Sequence, residues 1–111
     1  MGIHCRSYGG YAVPSSGTTV DGYIVFNIEF DDGVTTAYVN ITETPQSGYG
    51  LVSAIAKDCQ GNNVGNLIGH TIYNIPVTKT CAIYCNFSNT EVIDECPPTT
   101  NKTFCGPTYG P

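Results

Sequence analysis

The chain has 111 residues, 41% of them hydrophobic and only 12% charged, with nine acids against four bases and a net charge of −5. That length holds one domain, and eight Tyr and four Phe with so little charge exclude a disordered chain. The bases Arg6, Lys57, Lys79 and Lys102 form no cluster, so neither nucleic acid nor an anionic membrane surface is an expected partner.

In chain order, residues 1–14, MGIHCRSYGGYAVP, carry no apolar core of the kind a signal peptide needs. Residues 1–21, rich in Gly, Ser and Tyr, read as an extended N-terminal arm. GYIVFNIEF, residues 22–30, sets Ile24, Phe26, Ile28 and Phe30 on one face at period two, with Tyr23, Val25, Asn27 and Glu29 on the other. Asp32-Gly33 suits a two-residue turn, and residues 34–42 resume with Ala37, Val39 and Ile41 sharing a face, so a hairpin is expected. Residues 43–50 are a loop by their Pro and Gly content.

A third strand over 51–57 leads into the turn DCQGNN. A fourth spans 64–77, bent at Gly69, with Pro76 expected at an edge or end because it cannot donate to a ladder. A fifth spans 78–87. No stretch has a 3.6-residue period; the best helix candidate is a turn around residues 89–95. No apolar run exceeds five residues, far short of the ~20 that a membrane-spanning helix needs.

Residues 22–87 therefore read as a β-sandwich core, and residues 88–111, rich in Pro, Thr and Asn, as a C-terminal tail. Such ends fray unless they are held by disulfides or by neighbouring subunits. Strands at intervals of 8 to 14 residues, punctuated by Gly and Asx turns, imply an all-β antiparallel sandwich or small barrel. Within SAIAKDCQGNNVG the pattern A-x-D-x-x-G-N, carried by Ala56, Asp58, Gly61 and Asn62, resembles a hairpin of bacterial and phage immunoglobulin-like modules. That resemblance covers about a dozen residues. It implies an Ig-like β-sandwich and no activity. The expected fold is thus a small Ig-like sandwich with disulfide-stapled N- and C-terminal extensions.

Six cysteines, Cys5, Cys59, Cys81, Cys85, Cys96 and Cys105, suggest an oxidising setting. On a strand over 78–87, Cys81 and Cys85 would share a face about 13 Å apart, whereas a disulfide needs Cα atoms within about 7 Å. Each must then pair elsewhere. The preferred reading has Cys96 and Cys105 bridging the tail to the Cys81/Cys85 strand, with Cys5 and Cys59 left for each other. The rival reading is zinc, with His4 or His70 as added ligands, but spacings of three, ten and eight residues lack the C-x₂-C knuckle of structural zinc sites. A nucleophilic thiol would need a base or a positive field, which this chain scarcely supplies.

Asp31 and Asp32, and Asp58 with Asn62 and Asn63, are acceptable calcium donors, though each group is explained as readily by turn formation. His70 reads as a strand histidine. Glu91, Asp94 and Glu95 make a local negative patch. Asn40, Asn86 and Asn101 open glycosylation patterns that matter only in a eukaryotic secretory setting. Tyr8, Tyr11, Tyr49 and Tyr109 lie in Gly-flanked, exposed stretches. Tyrosine offers amphipathic contact area at low entropic cost, so these four are the expected interface residues.

No catalytic residues, cofactor site or metal site emerges, and an enzyme is not expected. The expected role is structural. A phage capsid cement or decoration protein, or a small tail or baseplate component, would dock on other virion proteins or copies of itself as a lattice-bound or homo-oligomeric part. Release by lysis reconciles many cysteines with the missing signal. The alternative is a secreted or surface binding module, possibly carbohydrate-binding, whose signal peptide has been removed.

Overall fold

The computed structural model describes residues 2–18, 23–94 and 107–109, and those residues are all-β with antiparallel pairing throughout. Five strands form one sheet, in the order β3 (Ser16–Thr18), β1 (Gly2–Tyr8), β5 (Thr36–Glu43), β9 (Thr71–Thr78) and β8 (Asn66–Ile68). A second sheet runs β11 (Pro107–Tyr109), β10 (Tyr84–Asp94), β6 (Tyr49–Lys57) and β7 (Asn63–Val64). A separate ribbon pairs β2 (Gly10–Val13) with β4 (Asn27–Phe30).

The alternation of side chains builds the interior. Ile3 and Cys5 on β1, Val39 and Ile41 on β5, and Ile72 and Ile75 on β9 form one buried cluster, which Ala56 joins from β6. Ala54, Val64 and Phe87 pack onto it from the second sheet, Ile24 and Phe26 from the segment leading into β4, and Ile28 from β4 itself. A β-bulge keeps both halves of β9 in phase with the core. Val39 pairs Ile75 and Ile41 pairs Ile72, while Asn40 and Asn74 between them fall out of register. Asn74 adopts φ of +58° there, and its N–H donates to Asn40 Oδ1 at 3.0 Å. The short Asx side chain thus supplies the acceptor that the interrupted ladder lacks.

Several expectations from sequence are corrected. The turn at Asp31–Val34 exists, closed by Val34 N–H on the Asp31 carbonyl at 3.0 Å, with Gly33 at φ +77°. Its flanking strands nevertheless part company: β4 pairs β2, and β5 inserts between β1 and β9. The period-two signal located the strands but held no information about their partners. Ile24, Phe26 and Ile28 do face the core, although the strand itself begins only at Asn27.

Residues 2–18, expected as an arm, supply β1 to β3, and β1 lies inside the five-stranded sheet. The segment 64–77 is two hairpin arms, with the turn at Gly69 and His70. Pro76 stays in β9 but lies beyond the stretch of β9 that β8 pairs, so no ladder bond on that side is lost. Of the strand expected over 78–87, Thr78 instead ends β9 and residues 79–83 are not a strand; β10 starts at Tyr84 and continues to Asp94, through the described part of the turn expected at 89–95. Glycine decides the corner between sheets. β7 pairs β6 in one sheet and β8 pairs β9 in the other, with Gly65 between them at φ +77°. A Cβ there would stand 2.8 Å from Ile72 Cγ2.

Candidate functional site

The two sheets do not fill the space between them. A cleft of about 1370 Å³ is walled on one side by Ile3, Cys5, Val39, Ile41 and Ile75, and on the other by Cys85 and Phe87. Segment 23–30 and the 79–83 connection line its rim. Walls that face open space forgo dispersion contacts that a close-packed interior would supply. At the mouth, Lys79 sits over the Phe30 ring with Nζ 5.6 Å from the centroid.

One end of the cleft is polar. Glu43 terminates β5 and is only 2% exposed. Asn89 Nδ2 on β10 donates to Glu43 Oε2 at 3.0 Å, a hydrogen bond that ties one sheet to the other. The register shift between Ser88 and Asn89 is local to this link. His70 adds a backbone anchor: its carbonyl accepts the Glu43 N–H at 2.9 Å. Its Nδ1 lies 4.0 Å from Glu43 Oε1 and, though buried, has no hydrogen-bond partner among the described residues. His70 therefore sits in a turn beside a buried carboxylate rather than within a strand. The Asn89 amide and the His70 carbonyl thus fix Glu43 in position between the two sheets.

The cysteines are arranged differently from the expected pairing. The disulfide joins Cys59 to Cys81, with Cα atoms 5.3 Å apart. Cys5 is not its partner, because Cys5 faces the core from β1 while Cys59 sits in the exposed β6–β7 turn. Cys81 reaches Cys59 because the chain turns at 79–80 instead of continuing as a strand. Cys5 and Cys85 are free thiols. Burial pushes the Cys5 thiol up to about 11. Desolvation pushes Cys85 up to about 11 as well, with a smaller push from the charge of Cys5. Cys96 and Cys105 lie outside the described residues, so the stapling of the tail stays an expectation.

The hairpin behind the Ig-like resemblance is present. Asp58 Oδ1 accepts the N–H groups of Gln60 and Asn62, both at 2.9 Å, and Gly61 takes φ +82°. The Asn62 backbone bond leads the effects that hold the exposed Asp58 carboxyl below its ordinary value. Asp58 is thus spent on its own turn. Asp31 likewise accepts a turn hydrogen bond through its carbonyl. His4 and Cys5 point to opposite faces of β1, and no three His, Cys, Asp or Glu residues converge among the described residues.

The expected interface tyrosines are scattered. Tyr8 is 49% exposed on the outer face of β1, Tyr11 lies on the β2–β4 ribbon, and Tyr49 sits opposite Glu91 in the second sheet. Tyr109 falls in β11, and its side chain is outside the described residues. The five-stranded sheet instead gathers a different set. Tyr8 is directly opposite Tyr38, which is directly opposite Pro76, so the three form one row across β1, β5 and β9. Arg6 and Asn40 make the next row, and the Arg6 guanidinium lies 5.6 Å from the Tyr8 ring centroid. Tyr73 projects beside the bulge. Tyr38 was legible in the sequence: Ala37, Val39 and Ile41 face inward, so Tyr38 must face outward.

No protein-family model matches this chain, and no curated protein or solved structure matches it either.

Proposed function

We propose that this chain is a non-enzymatic structural module that docks on a protein lattice or on copies of itself, through the outer face of the five-stranded sheet. The observation that carries this reading is the row Tyr8–Tyr38–Pro76, flanked by Tyr73 and, one row on, by Arg6 opposite the uncharged Asn40. Such a face offers stiff, amphipathic area with little charge to desolvate. Strand addition is a weaker route, because the open edges are blunted. β7 covers only two residues of β6, but β6 is irregular at Val52, and β9 carries Pro76 beyond β8.

The scaffold we propose is an Ig-like sandwich. Two antiparallel sheets sharing a core, and the Asp58 hairpin, support it. The setting we propose is a virion, as a capsid cement or decoration protein or a tail component. A nearly uncharged, tyrosine-bearing face suits permanent docking on a protein lattice.

Sedimentation velocity on the wild-type chain and on Tyr8→Ser/Tyr38→Ser tests the face. Concentration-dependent association that the variant loses, at unchanged circular dichroism, supports the reading. Association equal in both chains refutes it. Immunogold labelling of intact particles tests the setting. Glycan binding by the monomer, lost in the same variant, would transfer the face to a secreted carbohydrate-binding module.

A further inference from the structure

After Cys59–Cys81 is made, two described thiols remain, and the fold sets them on opposite walls of one space. Cys5 projects inward from β1 with Ile3 and is 2% exposed. Cys85, near the start of β10, is directly opposite Ala56 on β6. Residues opposite each other in an antiparallel pair project to the same side. Ala56 is 1% exposed and belongs to the buried cluster that contains Cys5. Cys85 is therefore aimed from the four-stranded sheet toward the wall that carries Cys5, and both line the cleft. Cys85 is also open to solvent, whereas Cys5 is not.

We propose that Cys5 and Cys85 are a redox pair that closes into a second disulfide across the cleft, joining the two sheets covalently. The oxidant is a low-molecular-weight or protein disulfide. Cys85, the accessible member, loses its proton and attacks one sulfur of that disulfide; the external S–S bond breaks, and one half leaves as a thiolate. Cys5 loses its proton in turn and attacks the Cys85 sulfur of the mixed disulfide, expelling the second half. The two thiolates released take up the two protons. Two protein thiols have lost two electrons, and one external disulfide has become two thiols. With the pair reduced, packing, the Asn89–Glu43 hydrogen bond and the peripheral Cys59–Cys81 bridge hold the two sheets together, and no covalent link crosses the cleft between Cys5 and Cys85. The oxidised pair fixes their separation, because disulfide geometry holds Cα atoms within about 7 Å.

The test incubates the whole chain in a glutathione redox buffer, quenches with acid, alkylates, and maps disulfides by mass spectrometry after non-reducing digestion. Wild type should yield a linked pair of peptides carrying Cys5 and Cys85 that disappears on reduction. Cys96→Ser/Cys105→Ser should yield the same pair, which separates this link from any made by the tail. Cys85→Ser changes an exposed side chain, so it should fold, keep Cys59–Cys81 and leave Cys5 alkylatable only after denaturation. The rate of closure should rise about tenfold per pH unit between about pH 7 and 9, because both thiols stay protonated until far higher pH. Cys85 found linked to Cys96 or Cys105 overturns the proposal. So do Cys5 and Cys85 both alkylated under conditions that keep Cys59–Cys81 oxidised, and so does a closure rate indifferent to pH.

Discussion

Gly65→Ala, compared with Gly33→Ala, tests how the two sheets are joined. Both glycines have φ of +77°, a conformation that costs an L-residue about 1–2 kcal/mol. A stiffer unfolded chain returns about 0.4–1 kcal/mol of that, so each substitution carries a backbone penalty of about 1 kcal/mol. The surroundings then separate them. Nothing lies within 4 Å of a Cβ at Gly33. At Gly65 the methyl would meet Ile72 Cγ2 at 2.8 Å, with Ile75 Cγ1 and the Tyr73 carbonyl oxygen both at 2.9 Å. Ile72 and Ile75 are 2% and 0% exposed and belong to the buried cluster, so the methyl can be fitted only by shifting core side chains. Overpacking of that kind costs about 1–3 kcal/mol. Gly65→Ala should therefore lose about 3 kcal/mol and Gly33→Ala about 1 kcal/mol. Urea unfolding followed by far-ultraviolet circular dichroism and tyrosine fluorescence, usable because the chain has no Trp, reads the loss as a midpoint shift at constant slope. Equal losses at the two glycines would refute the packed sheet-to-sheet corner.

Three further outcomes are expected. Cys59→Ser/Cys81→Ser opens a loop with a sequence separation of 22 and should lower stability by about 3 kcal/mol in the chain-entropy form, seen as a urea midpoint below that of oxidised wild type that becomes equal to wild type once both are reduced. Asn89→Ala removes the Nδ2 donor from the buried Glu43 carboxylate and should cost about 2 kcal/mol; a loss below a few tenths would show that water replaces the amide. Asp58 has a carboxyl whose folded pKa lies below its ordinary 3.8, so its contribution is present above pH 3.8 and fades as pH falls through the lowered value. Asp58→Asn keeps an acceptor but no charge, and its stability relative to wild type should improve only on that acid limb; a constant difference from neutral pH down to the acid limb would show that charge plays no part.

The tyrosine face and the cleft have a common origin in composition. A domain this small with few charged side chains must leave aromatic and aliphatic groups outside a thin core. Tyr8, Tyr38 and Tyr73 are each at least 37% exposed, and so is Val52 at 65%. Fold and contact surface are in this sense one consequence: the sheets bury aliphatic residues on their inner faces, and the outward positions of the same strands carry the tyrosines.

By itself the sequence determined that the chain is all-β, that Ile24, Phe26 and Ile28 face inward, that Val39 and Ile41 share a buried face, and that Asp58 shapes a turn. Each is a local matter, since alternation at period two and an Asx side chain within reach of its own backbone are complete within a few residues. Tertiary structure alone decided that β4 pairs β2, that β1 enters a sheet, and that Cys59 meets Cys81 while Cys5 and Cys85 line one cleft. Strand partnership depends on which edges remain unpaired once the whole chain has collapsed, and disulfide partnership depends on Cα separations that sequence spacing does not encode. The row Tyr8–Tyr38–Pro76 arises the same way: register across three strands places side by side residues that are far apart in the chain.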